Sequence, residues 1–402
     1  MAFYFGRKMI RKLPGVVIKT AHVPHPEISE GFGARGRVGD ICRSRGFKSV
    51  LLVTDETLFG LGLHVKVLDS IRERGIRCCV FHGISSEPTI GIVSDGRKAA
   101  VSCKADCVVA IGGGSVLDSS KIIAAGARHP FVPIGRFLRK FAVLKKKTLP
   151  LVCVPSTAGT GAECTVGAVV KNKRGVKGST VIIGLDVVSV ILDSELMIGL
   201  PASVTAWCGI DALSHGLEGL LADVKSSDED VFKSRECVRL VLDNLPVVLS
   251  NPANVEARQA MCRAALYGGN AINTQLAGYI HAFAHSIGAL YHIPHGKAIA
   301  WCLLPVAMAQ KELCRVKLAE LAAHCGISDE NEPMIASVGK LLDSIGALLV
   351  RCGLEKGCGF IRIEDYDVLI RMIDNDSVNY SPPKIFTDAE IRTLLDRIRL
   401  GS

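Results

Sequence analysis

Between residues 37 and 200 short apolar runs alternate with helical stretches, and after Pro201 the strand-like runs stop. Lys48 to Val53, Cys78 to His82, Cys107 to Ile111 and Leu151 to Val154 read as strands. Between them Gly62 to Arg74, Thr89 to Lys104 and Ser115 to Gly126 carry helical periodicity. A chain that alternates in this way lays its strands parallel, because each helical crossover returns it to the same end of the sheet. Such a sheet needs helices on both faces. Beyond residue 200, helical periods follow one another near 201–223, 228–249, 254–270, 276–290 and 296–325. The pattern predicts an α/β domain over 31–200 and an all-helical domain over 201–402, with 1–30 as an amino-terminal extension.

At 402 residues the chain exceeds what a single core ordinarily supports, and 49% apolar with 22% charged residues is a globular composition, so disordered and collagen-like readings fall away. No apolar run reaches the roughly 20 residues needed to cross a bilayer, and runs such as Cys107 to Ile111 and Val187 to Leu192 are strand-sized, which argues against a membrane partner. The net charge of +9 is spread along the chain; Lys145 to Lys147 is a short run without interleaved aromatics, which argues against nucleic acid. Fifteen cysteines include no C-x-x-C, so neither a zinc ribbon nor a thioredoxin motif is offered. A reducing, intracellular compartment fits them, cytoplasmic by default. The first 26 residues carry Arg7, Lys8, Arg11, Lys12 and Lys19 and no acid, a feature of mitochondrial presequences. They also lack serine, and a basic strand and loop fits them equally.

Gly112, Gly113, Gly114 and Ser115 follow one expected strand and open the next helix, with Asp118 and Lys121 one turn on. Backbone N–H groups and the helix dipole meet at such a junction, and glycines let a pyrophosphate approach them. A tight turn with Asp118 as a first-turn carboxylate explains the same residues. Asp55 closes the first strand of the alternation, where a carboxylate can accept from a ribose diol and repel a 2′-phosphate, favouring NAD over NADP. A helix cap is the competing reading. The small, hydroxyl-rich stretch from Pro155 to Thr165 could line a nucleotide without bulk.

Eleven histidines are present, and five of them lie between residues 211 and 295. Asp211 and His215 are four apart in a helical segment, so both project from one face and can converge on one ion. His281 and His285 repeat the spacing, and His292 and His295 follow beside Pro294 and Gly296, which enforce a turn. A single histidine on an apolar helix face is ordinarily a core group. Several imidazoles and a carboxylate in glycine-studded apolar helices are costly to bury unless something coordinates them. The donor set suits Fe²⁺ and Zn²⁺ alike, and spacing leaves open which late histidines complete it.

Four stretches together resemble the iron-containing (group III) alcohol dehydrogenases: G-G-G-S-V-L-D-S-S-K at 112–121, P-S-T-A-G-T-G-A-E-C-T at 155–165, D-A-L-S-H-G-L-E-G at 211–219 and G-Y-I-H-A-F-A-H-S-I-G-A-L-Y-H-I-P-H-G at 278–296. The resemblance runs from about Gly31 to the final helices. It implies the architecture shared by those enzymes and dehydroquinate synthase: an α/β dinucleotide-binding domain with a parallel sheet, then an all-α metal-binding domain. It implies Asp211, His215, His281 and His295 as metal ligands, with His285 beside the metal near the nicotinamide but not a ligand. Gly112, Gly113, Gly114 and Ser115 take the pyrophosphate, and Asp118 lies close to the nicotinamide. Thr157, Thr160 and Thr165 contact the cofactor, Lys177 reaches a ribose, and Asp55 reads one. The chain departs from the family in its long amino-terminal extension, in Val187 where proline is common, and in His292 at a variable position.

The activity implied is NAD(P)-linked oxidation of a small alcohol or reduction of an aldehyde, with hydride passing between a metal-bound alkoxide and the nicotinamide. Asp118 and His285 are its candidate catalytic residues, iron with zinc as alternative the metal, and NAD with NADP as alternative the cofactor. A homodimer is expected on general grounds. Hydroxyacid–oxoacid transhydrogenases and glycerol dehydrogenases are rivals on the same fold. A lyase like dehydroquinate synthase is a rival of another class, although that family expects Glu where Asp211 stands.

Overall fold

The computed structural model describes residues 24–171, 177–354 and 357–401, which fall into two compact units dividing in the chain between Gly199 and Leu200. The extension read as a candidate targeting segment lies, up to residue 23, outside the described residues.

The first unit runs β1 (Glu27–Glu30), α1 (Val38–Ser44), β2 (Ser49–Asp55), α2 (Glu56–Gly60), α3 (Val65–Glu73), β3 (Arg77–Ile84), α4 (Ile90–Ser102), β4 (Cys107–Gly112) and α5 (Gly114–Arg128). It continues through β5 (Phe141–Val143), β6 (Leu151–Pro155), β7 (Gly167–Lys171), β8 (Lys177–Ile183) and β9 (Val187–Leu192). Six strands form one parallel sheet in the order β1-β9-β6-β4-β2-β3. Every residue of β4 and β6 is buried, as is β2 up to Thr54, because helices cover both faces. On one side Val50, Leu52, Val109, Ile111, Val152 and Val154 pack with Val38, Val67 and Ile71 of α1 and α3.

Strand order dictates where a ligand can sit. From β2 the chain passes to β3 on one side and then to β4 on the other, so the sheet reverses direction between β2 and β4. Helices leave opposite faces at such a point and open a crevice beyond the carboxyl ends of the strands. Asp55 ends β2 and Gly112 ends β4.

Sequence periodicity missed a smaller sheet, β5-β8-β7, in which β7 and β8 are antiparallel. Strand β7 alternates buried and more exposed residues, and its apolar run, Ala168 to Val170, is only three residues long. Cys79 of β3 and Cys103, just past α4, form a disulfide that no cysteine motif announces.

The second unit comprises α6 (Ala202–Leu221), α7 (Asp228–Ser250), α8 (Val255–Gln275), α9 (Tyr279–Tyr291), α10 (His295–Gln310), α11 (Arg315–His324), α12 (Met334–Arg351), α13 (Tyr366–Ser377) and α14 (Asp388–Leu400). It holds no strand among the described residues. The one helical segment expected over 296–325 is two helices, broken at residues 311–314, where neither glycine nor proline stands. No helix among the described residues is long and apolar enough to cross a membrane.

Candidate active site

In the α/β unit, Gly113 precedes α5 in an extended conformation with no side chain capping the helix and no acid in its first turn. The positive end of a 15-residue helix therefore faces the crevice. The stretch from Pro155 to Thr165 lies against this junction. Ser156 N–H donates to Gly112 O at 3.0 Å, Thr157 packs over Gly113, and the Thr160 methyl packs over Gly114. Ser115 Oγ donates to Ser86 O at 2.7 Å, so the hydroxyl proton is engaged and only its lone pairs face outward.

Asp118 is tied at both oxygens: Oδ1 accepts from Lys121 Nζ at 3.0 Å and Oδ2 from Val169 N at 2.9 Å. Lys121 is fully buried and donates also to Thr165 Oγ1 at 3.1 Å and to Gly167 O at 2.6 Å. One lysine thus locks α5, the threonine loop and β7 together, and the Thr165 hydroxyl belongs to that lock. Asp55 Oδ1 accepts from Leu58 N at 2.8 Å, capping α2. Lys177 opens β8, and its side chain lies outside the described residues.

The helical unit gathers the imidazoles. Asp211, His215 and His281 are buried, with the first two on α6 and the third on α9. His295, the first residue of α10, is about one-third exposed, with 36% of its side chain accessible. Asp211 Oδ1 lies 3.2 Å from His295 Nε2, 3.7 Å from His281 Nε2 and 3.7 Å from His215 Nε2. Asp211, His281 and His295 each offer a ligand atom within 4.8 Å of the others. The His215 ring stacks on His281 at 4.7 Å between centroids. Close seating of α10 depends on Gly296, since a Cβ there would stand 2.5 Å from Trp207 O on α6.

These separations suit a cation. Four donors about 2.1 Å from a common centre in a tetrahedron sit about 3.4 Å from one another. Asp211 Oδ1 and His281 Nε2 are both buried without a hydrogen-bond partner among the described residues. Two buried polar atoms aimed at one point and bonded to nothing are costly, and a coordinated ion removes that cost. Burial opposes ionisation of Asp211, but the imidazoles of His215, His295 and His281 outweigh it and hold the carboxyl well below its ordinary range. The anion needed for ligation is thus present at neutral pH.

His285 sits one turn from His281 with its side chain 44% exposed, and its ring stacks on His295 at 5.1 Å between centroids. Its Nδ1 lies 2.8 Å from Asp376 Oδ2, and Tyr380 Oη donates to that oxygen at 3.2 Å. Sequence reasoning missed both residues, which lie some ninety positions further along the chain. It also passed over Glu218, although Glu218 falls on the Asp211 face of α6. His292 adopts left-handed backbone, φ 56°, at the end of α9, so a chain-reversing role accounts for its position.

Known proteins similar to this chain are numerous. The family described as iron-containing alcohol dehydrogenase matches residues 25–192, and its carboxy-terminal counterpart matches residues 205–398. Alcohol dehydrogenase 4 of Saccharomyces cerevisiae is 29% identical over 371 residues, covering 91% of this chain and 95% of its own. The 1,3-propanediol dehydrogenase of Klebsiella pneumoniae is 31% identical over 365 residues, covering 89% of this chain and 93% of its own. The crystal structure of sulfoacetaldehyde reductase from Bifidobacterium kashiwanohense in complex with NAD⁺ superposes with a TM-score of 0.86 at 27% identity, covering 94% of this chain and 98% of that one.

Proposed function

The chain belongs to the iron-containing alcohol dehydrogenase family, and from that premise we propose that Asp211, His215, His281 and His295 hold its metal while the triple-glycine junction holds NAD. The activity is that of an NAD-linked alcohol dehydrogenase or aldehyde reductase acting on a small alcohol or aldehyde. The observation that carries the assignment is the convergence of Asp211 Oδ1 with three imidazole Nε2 atoms at 3.2–3.7 Å, with Asp211 Oδ1 and His281 Nε2 buried and unbonded.

When bound, a divalent cation supplies Lewis-acid polarisation of the substrate oxygen and nicotinamide supplies the hydride acceptor or donor. The protein's own groups do the rest. Gly113, Gly114 and Ser115 present the positive end of α5 to the pyrophosphate, and Thr157 and Thr160 shape the wall beside it. Asp118 and Lys121 act as a strut for that wall, because their polar atoms are committed to one another and to β7. Asp55 keeps a carboxylate at the end of β2, where it favours a free ribose diol over a 2′-phosphate. Oxidising an alcohol releases a hydride from carbon and a proton from oxygen. His285 takes the proton: with Nδ1–H donated to Asp376, Nε2 is the acceptor, and the exposed ring passes the proton to solvent.

The test is an assay of the purified chain with a series of alcohols and aldehydes, following reduced nicotinamide by absorbance, after loading with Fe²⁺ and separately with Zn²⁺. Turnover that requires free NAD and one bound metal is expected. Interconversion of a hydroxyacid and an oxoacid without free NAD would replace this reading with a transhydrogenase. Replacing His285 with alanine should slow turnover and leave metal content unchanged, and loss of the metal would overturn its assignment as a non-ligand.

A further inference from the structure

Asp211, His215 and Glu218 occupy positions i, i+4 and i+7 of α6 and therefore share one face. Glu218 is 5% exposed, and both its oxygens are engaged. Oε1 accepts from Ile280 N at 2.6 Å, and Oε2 lies 2.5 Å from His281 Nδ1. A carboxylate only accepts, so the bond to His281 requires a proton on Nδ1. The remaining nitrogen, Nε2, is the one that lies 3.7 Å from Asp211 Oδ1 without a hydrogen-bond partner among the described residues.

We propose that Glu218 is a positioning residue of the metal centre: it holds the Nδ1–H tautomer and the ring orientation of His281, so that Nε2 faces the cation. The inference rests on the reading that His281 is a ligand. Its other contact sets the distance. By accepting from Ile280 N, the residue just before His281, Glu218 fastens the first turn of α9 to α6 and fixes where the His281 ring begins. Gly278 makes room for this, since a Cβ there would stand 2.7 Å from Glu218 Oε1. Partners that orient a metal-bound imidazole in this manner typically control metal affinity by 10- to 100-fold.

Glutamine separates orientation from bulk. Glu218→Gln keeps the volume but offers one acceptor oxygen and one NH₂ donor to two facing donors. If its oxygen stays on Ile280 N, the NH₂ faces His281, which must then accept at Nδ1 and carry its proton on Nε2. Gly278→Ala perturbs the same carboxylate without changing any charge.

The experiment measures Zn²⁺ binding to the full chain, stripped with a chelator and titrated in competition with a chromophoric chelator. Wild type, Glu218→Gln, Gly278→Ala and His281→Ala are compared. Thermal melting serves as the control for folding, and ring ¹⁵N shifts of His281 in the stripped chain report its tautomer. The expected result is tight binding by wild type, Kd about 10- to 100-fold higher in Glu218→Gln and Gly278→Ala, and a changed tautomer in Glu218→Gln. Wild-type affinity in a folded Glu218→Gln would overturn the role of Glu218 and leave His281 a ligand. Wild-type affinity in His281→Ala, or no tight site in wild type, would overturn the ligand reading and this inference with it. Should Glu218→Gln not fold, Gly278→Ala decides between the same outcomes.

Discussion

Glu163 should make the α/β unit less stable as pH rises, and Glu163→Gln should remove that dependence. The residue lies in the Pro155 to Thr165 stretch, 1% exposed, and burial pushes its carboxyl up to about 7 from an ordinary 4.5; its own backbone N–H and the Lys121 charge only partly offset this. A group whose pKa is higher folded than unfolded stabilises below the unfolded value, and that contribution is lost as pH climbs through the folded one. The window is therefore pH 4.5 to about 7. At about 1.4 kcal/mol per pH unit, the full interval corresponds to about 3 kcal/mol. Glutamine keeps the shape of the neutral acid at every pH, so its advantage over wild type should grow to about 3 kcal/mol by pH 8. Both tryptophans, Trp207 and Trp301, lie in the helical unit, so fluorescence would report the other half of the molecule. Native-state hydrogen exchange of the β4 and β6 amides reads the correct one. Identical pH slopes in the two proteins would refute the argument.

Gly296→Ala should push the start of α10 away from Trp207 and carry His295 from Asp211, weakening Zn²⁺ binding about tenfold or more in the same chelator competition. Lys121→Met should destabilise the α/β unit by about 3 kcal/mol, because it strands Asp118 and Thr165, and should raise the Kd for NAD measured by fluorescence titration. His292→Gly should stabilise the helical unit by about 1 kcal/mol in urea unfolding, since glycine adopts φ 56° freely. Its KM should not change, and a shifted KM would place His292 in the substrate site.

Strands β2, β4 and β6 were legible because two-sided burial demands unbroken apolar runs, and Pro201 marked the change to helices because β-branched runs cease there. Strands β7 and β8 were not. They form a small sheet of partly exposed strands, where half the positions are free to be polar. The break at residues 311–314 carries no glycine or proline and is a tertiary outcome. At the candidate metal centre, Asp211, His215, His281 and His295 came from local spacing together with family motifs. Glu218 was present in the same helical arithmetic, seven residues after Asp211, but an acid near a histidine has many ordinary uses. Asp376 and Tyr380 were out of reach, because nothing local in α13 says that its end meets α9. The Asp118 tether to Val169 was hidden for the same reason, since it crosses to a strand that periodicity did not detect.

Donors at residues 211, 281 and 295 belong to three separate helices, so an ion seated among them is a clasp as well as a reagent. Binding only the folded form at a thousandfold above Kd would add about 4 kcal/mol to the helical half and nothing directly to the α/β half. Metal starvation would then be felt first as proteolysis beyond residue 200, leaving a nucleotide-binding fragment behind. The supply of the ion would set how much intact enzyme a cell keeps, and not only how fast each copy turns over.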